Sequence, residues 1–427
     1  LEGPIPETLF TGTRKSDGTY PVYGAPRGAM FESAFEGCSK LSGTIPEKLF
    51  SVGFGNALRG HISERAFANT FKGCSSLSGT IPALFGRFGG YAPSAFEGTF
   101  EGCSGLTGFP TDSNGEPLSI FASYSVSGTS GLSTSMFKNT FKDCKSLSGD
   151  IPYNLFNTYE KTGESMFAYT FYGCSGLSGI GTSISGKSLF SSIQGAAGLA
   201  KTAMFDRTFH GCSGLKSIPA NLFSGIRGTA PRLFNGTFKG CTSITQIPSG
   251  LFSSISGRQQ PHLFAETFRG CTGINKPLPE KLFAGTSDST ISGIGDNGTD
   301  YMFQYTFYDC NNMPGTIPEN TFAGITTPGF AMFDRTFYNC KSLEGPIPGN
   351  LFGDLSGNVQ KWMFNGTFAN CTNLDGPLPA KLFKGGLSST GITGKPAENS
   401  FKDMFKNTKI GSNTNQTWIP WDFFSTL

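Results

Sequence analysis

Eleven cysteines and three histidines are the residues of this 427-residue chain whose types could do chemistry. The cysteines are Cys38, Cys74, Cys103, Cys144, Cys174, Cys212, Cys241, Cys271, Cys310, Cys340 and Cys371. None forms a Cys-x-x-Cys pair, so the spacing that zinc sites use is missing. Their number is odd, and equivalent positions in stacked repeats carry parallel Cβ vectors, a poor geometry for disulfides. They read as a structural ladder of buried thiols, one small apolar filler per repeat. His61, His210 and His262 have no Gly-x-Ser-x-Gly elbow to serve. Acids such as Glu36, Glu101 and Asp143 stand at variable positions, as on a solvated face, and single out no carboxylate pair for glycoside hydrolysis. Asp296, Asn297 and Asp300 share a Gly-rich stretch that lacks the EF-hand pattern and reads as a polar loop. Asn-x-Ser/Thr acceptors occur at Asn235, Asn297, Asn365, Asn370 and Asn415, but Asn235 and Asn365 arise because the repeat supplies its own Thr. The reading is a non-enzymatic chain with no catalytic residue, metal or cofactor.

What positions these residues is an internal repeat, seen most cleanly at Met363 to Phe383, MFNGTFANCTNLDGPLPAKLF. All eleven cysteines occupy one place in it. Their intervals form a short class, such as the 31 residues from Cys340 to Cys371, and a long class, such as the 41 from Cys103 to Cys144. Phe364, Phe368 and Cys371 recur at i, i+4 and i+7, which predicts a helix of about two turns. The following Leu-x-Gly-x-Ile-Pro predicts one short strand that Pro ends, and the Leu-Phe pair adds an apolar anchor. Units this small bury their apolar faces only by stacking, with the strands in a parallel ladder. Three Phe columns should run through the stack and account for most of the 42 Phe.

Leu1 to Pro6 repeats the string of Leu343 to Pro348, so the chain begins inside a repeat and residues upstream are expected to be missing. The expected organisation is one solenoid over 1–427: a partial rung and loop at 1–29, eleven Cys repeats at 30–403, and a degenerate cap at 404–427. In that cap Ser412 takes the Cys position and Trp418-Ile419-Pro420 takes the strand.

Phe71-Lys72-Gly73-Cys74-Ser75-Ser76-Leu77, followed by Ile81-Pro82, resembles the BspA-type leucine-rich-repeat surface proteins of bacteria. A Met-Phe-x-x-Cys-x-x-Leu surface repeat is similar too. The longer repeat, with Met-Phe ahead of Thr-Phe, departs from that pattern. The resemblance implies a leucine-rich-repeat-like α/β solenoid of about a dozen rungs, each a short helix plus one short strand. It also implies secretion or surface display, and binding or adhesion.

Composition narrows the partners. A net charge of +3, from 33 bases and 30 acids with no long run of either sign, leaves no footprint for nucleic acid. No apolar run approaches the roughly 20 residues of a membrane-spanning helix. A protein or glycan on another cell surface is the expected partner, held by loop residues Tyr20, Tyr23, Arg27 and Tyr301. A second reading is a fibre subunit that stacks on copies of itself. Its end contacts would be Leu9 and Phe10 on one side, and Trp418, Trp421, Phe423 and Phe424 on the other.

Overall fold

The computed structural model describes residues 1–7, 9–10, 28–50, 60–86, 88–90, 92–121, 133–156, 161–191, 193, 199–283, 298–379, 382–383, 392–393 and 396–411. They divide into two compact units. Unit 1 holds Leu1–Gly198 and Thr208–Leu215; unit 2 holds Leu199–Arg207 and Lys216–Leu427. Within each unit, successive repeats stack side by side.

The predicted helix does not form; among the described residues there is none. Residues 362–371 instead make a chain of tight turns with a period of four. Trp362, Gly366 and Asn370 sit at φ of 59°, 58° and 64°, the left-handed region that costs a side-chain-bearing residue about 1–2 kcal/mol. The hydrogen bonds explain why the chain accepts this. The amides of Phe364, Gly366, Phe368 and Asn370 donate to Ser400, Lys402, Met404 and Lys406 of the next repeat at 2.7–2.9 Å. The alternate amides of Asn365, Thr367, Ala369 and Cys371 donate three residues back along the chain, at 3.1–3.3 Å. Every amide of the segment is therefore satisfied, half of them between repeats, where a helix this short would be marginal alone. A four-residue period also places Phe364 and Phe368 on one side. The i, i+4 spacing was real, and turns satisfy it as well as a helix does.

Thr and Cys recur for the same reason. Thr367 Oγ1 donates to the Phe333 carbonyl of the preceding repeat at 3.0 Å, and Cys371 Sγ donates to the Phe337 carbonyl at 2.9 Å. Equivalent bonds run from Thr99 and Cys103 to Phe67 and Phe71.

Between turn segment and strand lie the Phe columns. Phe364 stacks on Phe333 at 5.5 Å, Phe368 on Phe337 at 5.7 Å, and Phe383 on Phe352 at 5.9 Å, with rings within 6° of parallel. Unit 1 repeats the pattern with Phe96 on Phe67 and Phe100 on Phe71. The strands are short and parallel. Asn373–Gly376 pairs with Glu344–Gly345 on one side and Lys409–Ile410 on the other. In the Cys212, Cys241 and Cys271 repeats the corresponding residues form no regular strand.

The last described repeat lies four residues earlier than its Met404-Phe405 pair suggests. Phe401 and Phe405 continue the columns of Phe364 and Phe368. Lys409–Ile410 is the strand, so Thr408 rather than Ser412 holds the Cys position. The Met-Phe pair misleads there because Met404 replaces the repeat's Thr, not its Met.

Candidate functional site

In each turn segment the second, third, sixth, seventh and tenth side chains, the Phe, Thr and Cys among them, point inward. That leaves the first, fourth, fifth, eighth and ninth positions for the outer face. In segment 362–371 these are Trp362, Asn365, Gly366, Ala369 and Asn370, of which Asn365, Gly366 and Ala369 are buried beneath their neighbours. Stacking aligns equivalent positions into columns, so whatever occupies them forms a surface by construction.

In the early repeats of unit 1 the columns carry alternating charge. Glu36, Lys72, Glu101 and Lys142 alternate along the eighth position. Lys72 Nζ lies 3.3 Å from Glu101, and Lys142 Nζ 2.8 Å from the same carboxylate. Lys138 and Glu97 pair at 3.2 Å along the fourth, and Arg65 pairs with Glu32. Later in unit 1, Tyr172 packs on His210 at 4.5 Å and on Tyr169 at 5.8 Å.

Unit 2 fills the same columns differently. Tyr308 and Tyr338 stack face to face at 4.8 Å, 4° from parallel. The Arg269 guanidinium lies 4.9 Å from the Tyr308 centroid and 5.0 Å from that of Tyr305, distances at which cation–π attraction operates. Arg335 Nη1 donates to Tyr305 Oη at 2.9 Å. His262 stacks on Tyr301 at 4.6 Å. Burial, followed by the charge of Arg232, holds His262 below the usual imidazole range. Glu266 binds Lys239 at 2.9 Å, Arg269 at 2.5 Å and Arg207 at 3.2 Å. Burial alone would raise the pKa of Glu266, but hydrogen bonds and charge from Lys239 and Arg269 outweigh it and keep the carboxylate ionised below its ordinary range.

A paired sequence device places the arginines. Phe205-Asp206-Arg207-Thr208 is followed one repeat later by Phe234-Asn235-Gly236-Thr237, and Phe333-Asp334-Arg335-Thr336 by Phe364-Asn365-Gly366-Thr367. Asn235 Nδ2 donates to Asp206 and Asn365 Nδ2 to Asp334, each at 2.8 Å. Gly236 and Gly366 hold φ of 60° and 58°. A Cβ there would come within 3.0 and 3.2 Å of the Cγ of Arg207 and Arg335. Glycine therefore lets each arginine lie across the next repeat, and Arg207 reaches Glu266 beyond it. The same bonds bury Asn235 and Asn365, so these two acceptor motifs are closed in the folded chain.

Of the residues singled out from sequence, Tyr301 belongs to this face. Tyr20, Tyr23, Arg27, Trp418, Trp421, Phe423 and Phe424 lie outside the described residues. Leu9 is exposed, whereas Phe10 packs on Phe31, Phe35 and Phe50. Cys38 is half-buried and the other ten cysteines are buried; none is in a disulfide. Burial pushes the Cys74 and Cys271 thiols up to about 12. Among the described residues no group of three His, Cys, Asp or Glu side chains could hold a metal ion, and no helix is long and apolar enough to cross a membrane. The sequence reading passed over Tyr305, Tyr308, Tyr338, Arg269 and Arg335 because it took the variable positions for one uniform solvated face. The available signal was their change from Glu, Lys and Ser to Tyr, Arg and His along the chain.

No protein-family model and no curated protein matches the chain. Among solved structures, it is similar to a leucine-rich repeat protein from Bacteroides ovatus at 18% identity, covering 96% of this chain and 92% of that one, with a TM-score of 0.35. A leucine-rich repeat protein from Eubacterium ventriosum is similar at 14% identity, over 98% and 91% of the two chains, with a TM-score of 0.31. A leucine rich cell surface protein from Faecalibacterium prausnitzii is similar at 14% identity, over 92% and 95%, with a TM-score of 0.23.

Proposed function

We propose that the chain is a non-catalytic repeat scaffold that binds a protein partner through the unit 2 turn face, in an extracellular or cell-surface setting where the contact serves adhesion. One observation carries the reading. The columns of unit 2 concentrate Tyr, Arg and His on a rigid ladder, and interfaces are enriched in Tyr and Arg while Lys, Glu and Ser are depleted. The surface setting rests on the sequence resemblance. The ladder suits binding because turn residues bonded on both sides lose little further freedom when a partner docks.

The test places a photo-crosslinking residue at Tyr308 or, separately, at Lys72, and exposes each protein to solubilised surface proteins of candidate cells. A discrete adduct is expected from position 308 and none from position 72. Equal labelling at the two positions, or none at either with saturating extract, defeats the proposal.

A further inference from the structure

We propose that the unit 2 face takes an acidic, extended segment of its protein partner; this rests on the binding role given above to that face. The argument begins with the depth of the charges. The side chains of Asp206, Asp334 and Glu266 are 5%, 7% and 14% exposed, whereas those of Arg232, Arg335 and Arg269 are 41%, 36% and 34% exposed. In these pairs the carboxylate forms the floor and the cation the outer layer, with Arg207 and Lys239, each 23% exposed, between them. A partner therefore meets positive charge first, although the ion pairs nearly balance within the cluster.

The aromatic geometry narrows the partner further. Tyr308 and Tyr338 cover one another, and Arg269 lies over Tyr308 from the preceding repeat. With both faces of Tyr308 occupied in this way, and Tyr305 lying against Arg269 and Arg335, edges and hydroxyls are what these two rings offer for contact. Stacking a sugar or a nucleobase needs an open ring face; accepting hydrogen bonds from hydroxyl and guanidinium donors suits a carboxylate. Charge supply points the same way. Arg207, Arg232, Lys239, Arg269 and Arg335 stand against Asp206, Glu266 and Asp334, with Asp300 beside His262 and Asp309 beside Tyr308. That is five cations to five carboxylates, so the outer position of the arginines rather than a surplus sets the sign a partner meets. Nucleic-acid binding at physiological salt draws on about 6–10 phosphate contacts, more than these five cations, while a short acidic peptide needs fewer. Length agrees as well. Lys239 and Arg335 are three repeats apart, about 14 Å at a ladder spacing of about 4.8 Å, and an extended strand covers that in four to five residues.

Fluorescence anisotropy on the intact chain tests this, using fluorescein-labelled deca-glutamate, deca-glutamine and oligo-uridylate as probes. Binding to deca-glutamate alone is expected, weakening at least about tenfold in Arg269→Ala/Arg335→Ala and steeply as salt rises through about 0.1 M. Lys239→Gln, which leaves the Arg–Tyr packing in place, should weaken it about threefold or more, and Lys72→Ala should leave it unchanged. Deca-glutamine binding as tightly, oligo-uridylate binding more tightly, or binding that survives both unit 2 variants each overturns the proposal. A position-308 adduct with a partner lacking an acidic stretch would overturn the acidic segment while sparing the binding role; absence of any adduct removes both.

Discussion

The Cys103 repeat in unit 1 and the Cys271 repeat in unit 2 share a core and differ in their faces. Phe100 stacks on Phe71 at 5.6 Å, and Phe268 on Phe238 at 5.6 Å. Thr99 and Thr267 donate to equivalent carbonyls. On the outside, Glu97 and Glu101 of the first pair with lysines of the next repeat, whereas Glu266 and Arg269 of the second join a cluster of bases and tyrosines. The core positions answer to neighbours above and below, which are always Phe, so they vary little. The outer positions answer to solvent and to partners, so they can diverge without disturbing the stack. Stability is thus carried by the inner residues of one ten-residue segment, and the recognition proposed above falls to its outer ones.

The largest expected effect tests the shared core. Phe100→Ala and Phe268→Ala should each cost about 3–5 kcal/mol, read as loss of hydrogen-exchange protection in the surrounding amides. A clearly unequal loss would break the equivalence of the two cores.

High pH tests the cores together. The raised thiols of Cys74 and Cys271 stay protonated in the folded chain while the unfolded chain ionises near 8.5. The unfolded state therefore binds fewer protons above that pH, and stability should fall from about pH 9 towards about 12 in both units. Iodoacetamide labelling followed by peptide mass spectrometry should find Cys74 and Cys271 unreactive at pH 8 and reactive once unfolding begins. Fast labelling of either thiol in the folded chain would contradict the burial.

Smaller effects separate the faces. Gly236→Ala should cost about 1–2 kcal/mol, because alanine resists the left-handed backbone, and should displace Arg207 from Glu266. Thermal unfolding measures the first, and a lower capacity for deca-glutamate the second; an unchanged melting temperature would show that the glycine is not needed. Lys72→Ala, at an exposed ion pair, should change stability by less than about 1 kcal/mol and leave position-308 crosslinking intact. A large loss of either would make the charged face of unit 1 more than a soluble covering.

Much of the fold was legible in the chain because periodicity reports burial directly. Phe364, Phe368 and Cys371 were placed on one inner side, and the Leu374 strand was placed in a parallel ladder. The helix was misjudged because 3.6 and 4 residues per turn differ by little over ten residues. What tells them apart is the destination of alternate amides, which a single repeat does not contain. Tyr301 was singled out as a loop aromatic, and the structure sets it at the first position of a turn segment instead. Tyr308 and Arg269 were not singled out, because each looks like an ordinary surface residue until the stack brings it beside the other.

By itself, then, the sequence determined the repeat, its inner residues and the stacking they require, since apolar spacing is a local property. The tertiary structure decided that the segment is a turn ladder and that Gln304, Asp334 and Asn365 join hands across three repeats. Those contacts join residues about thirty positions apart, and only stacking sets which of them meet.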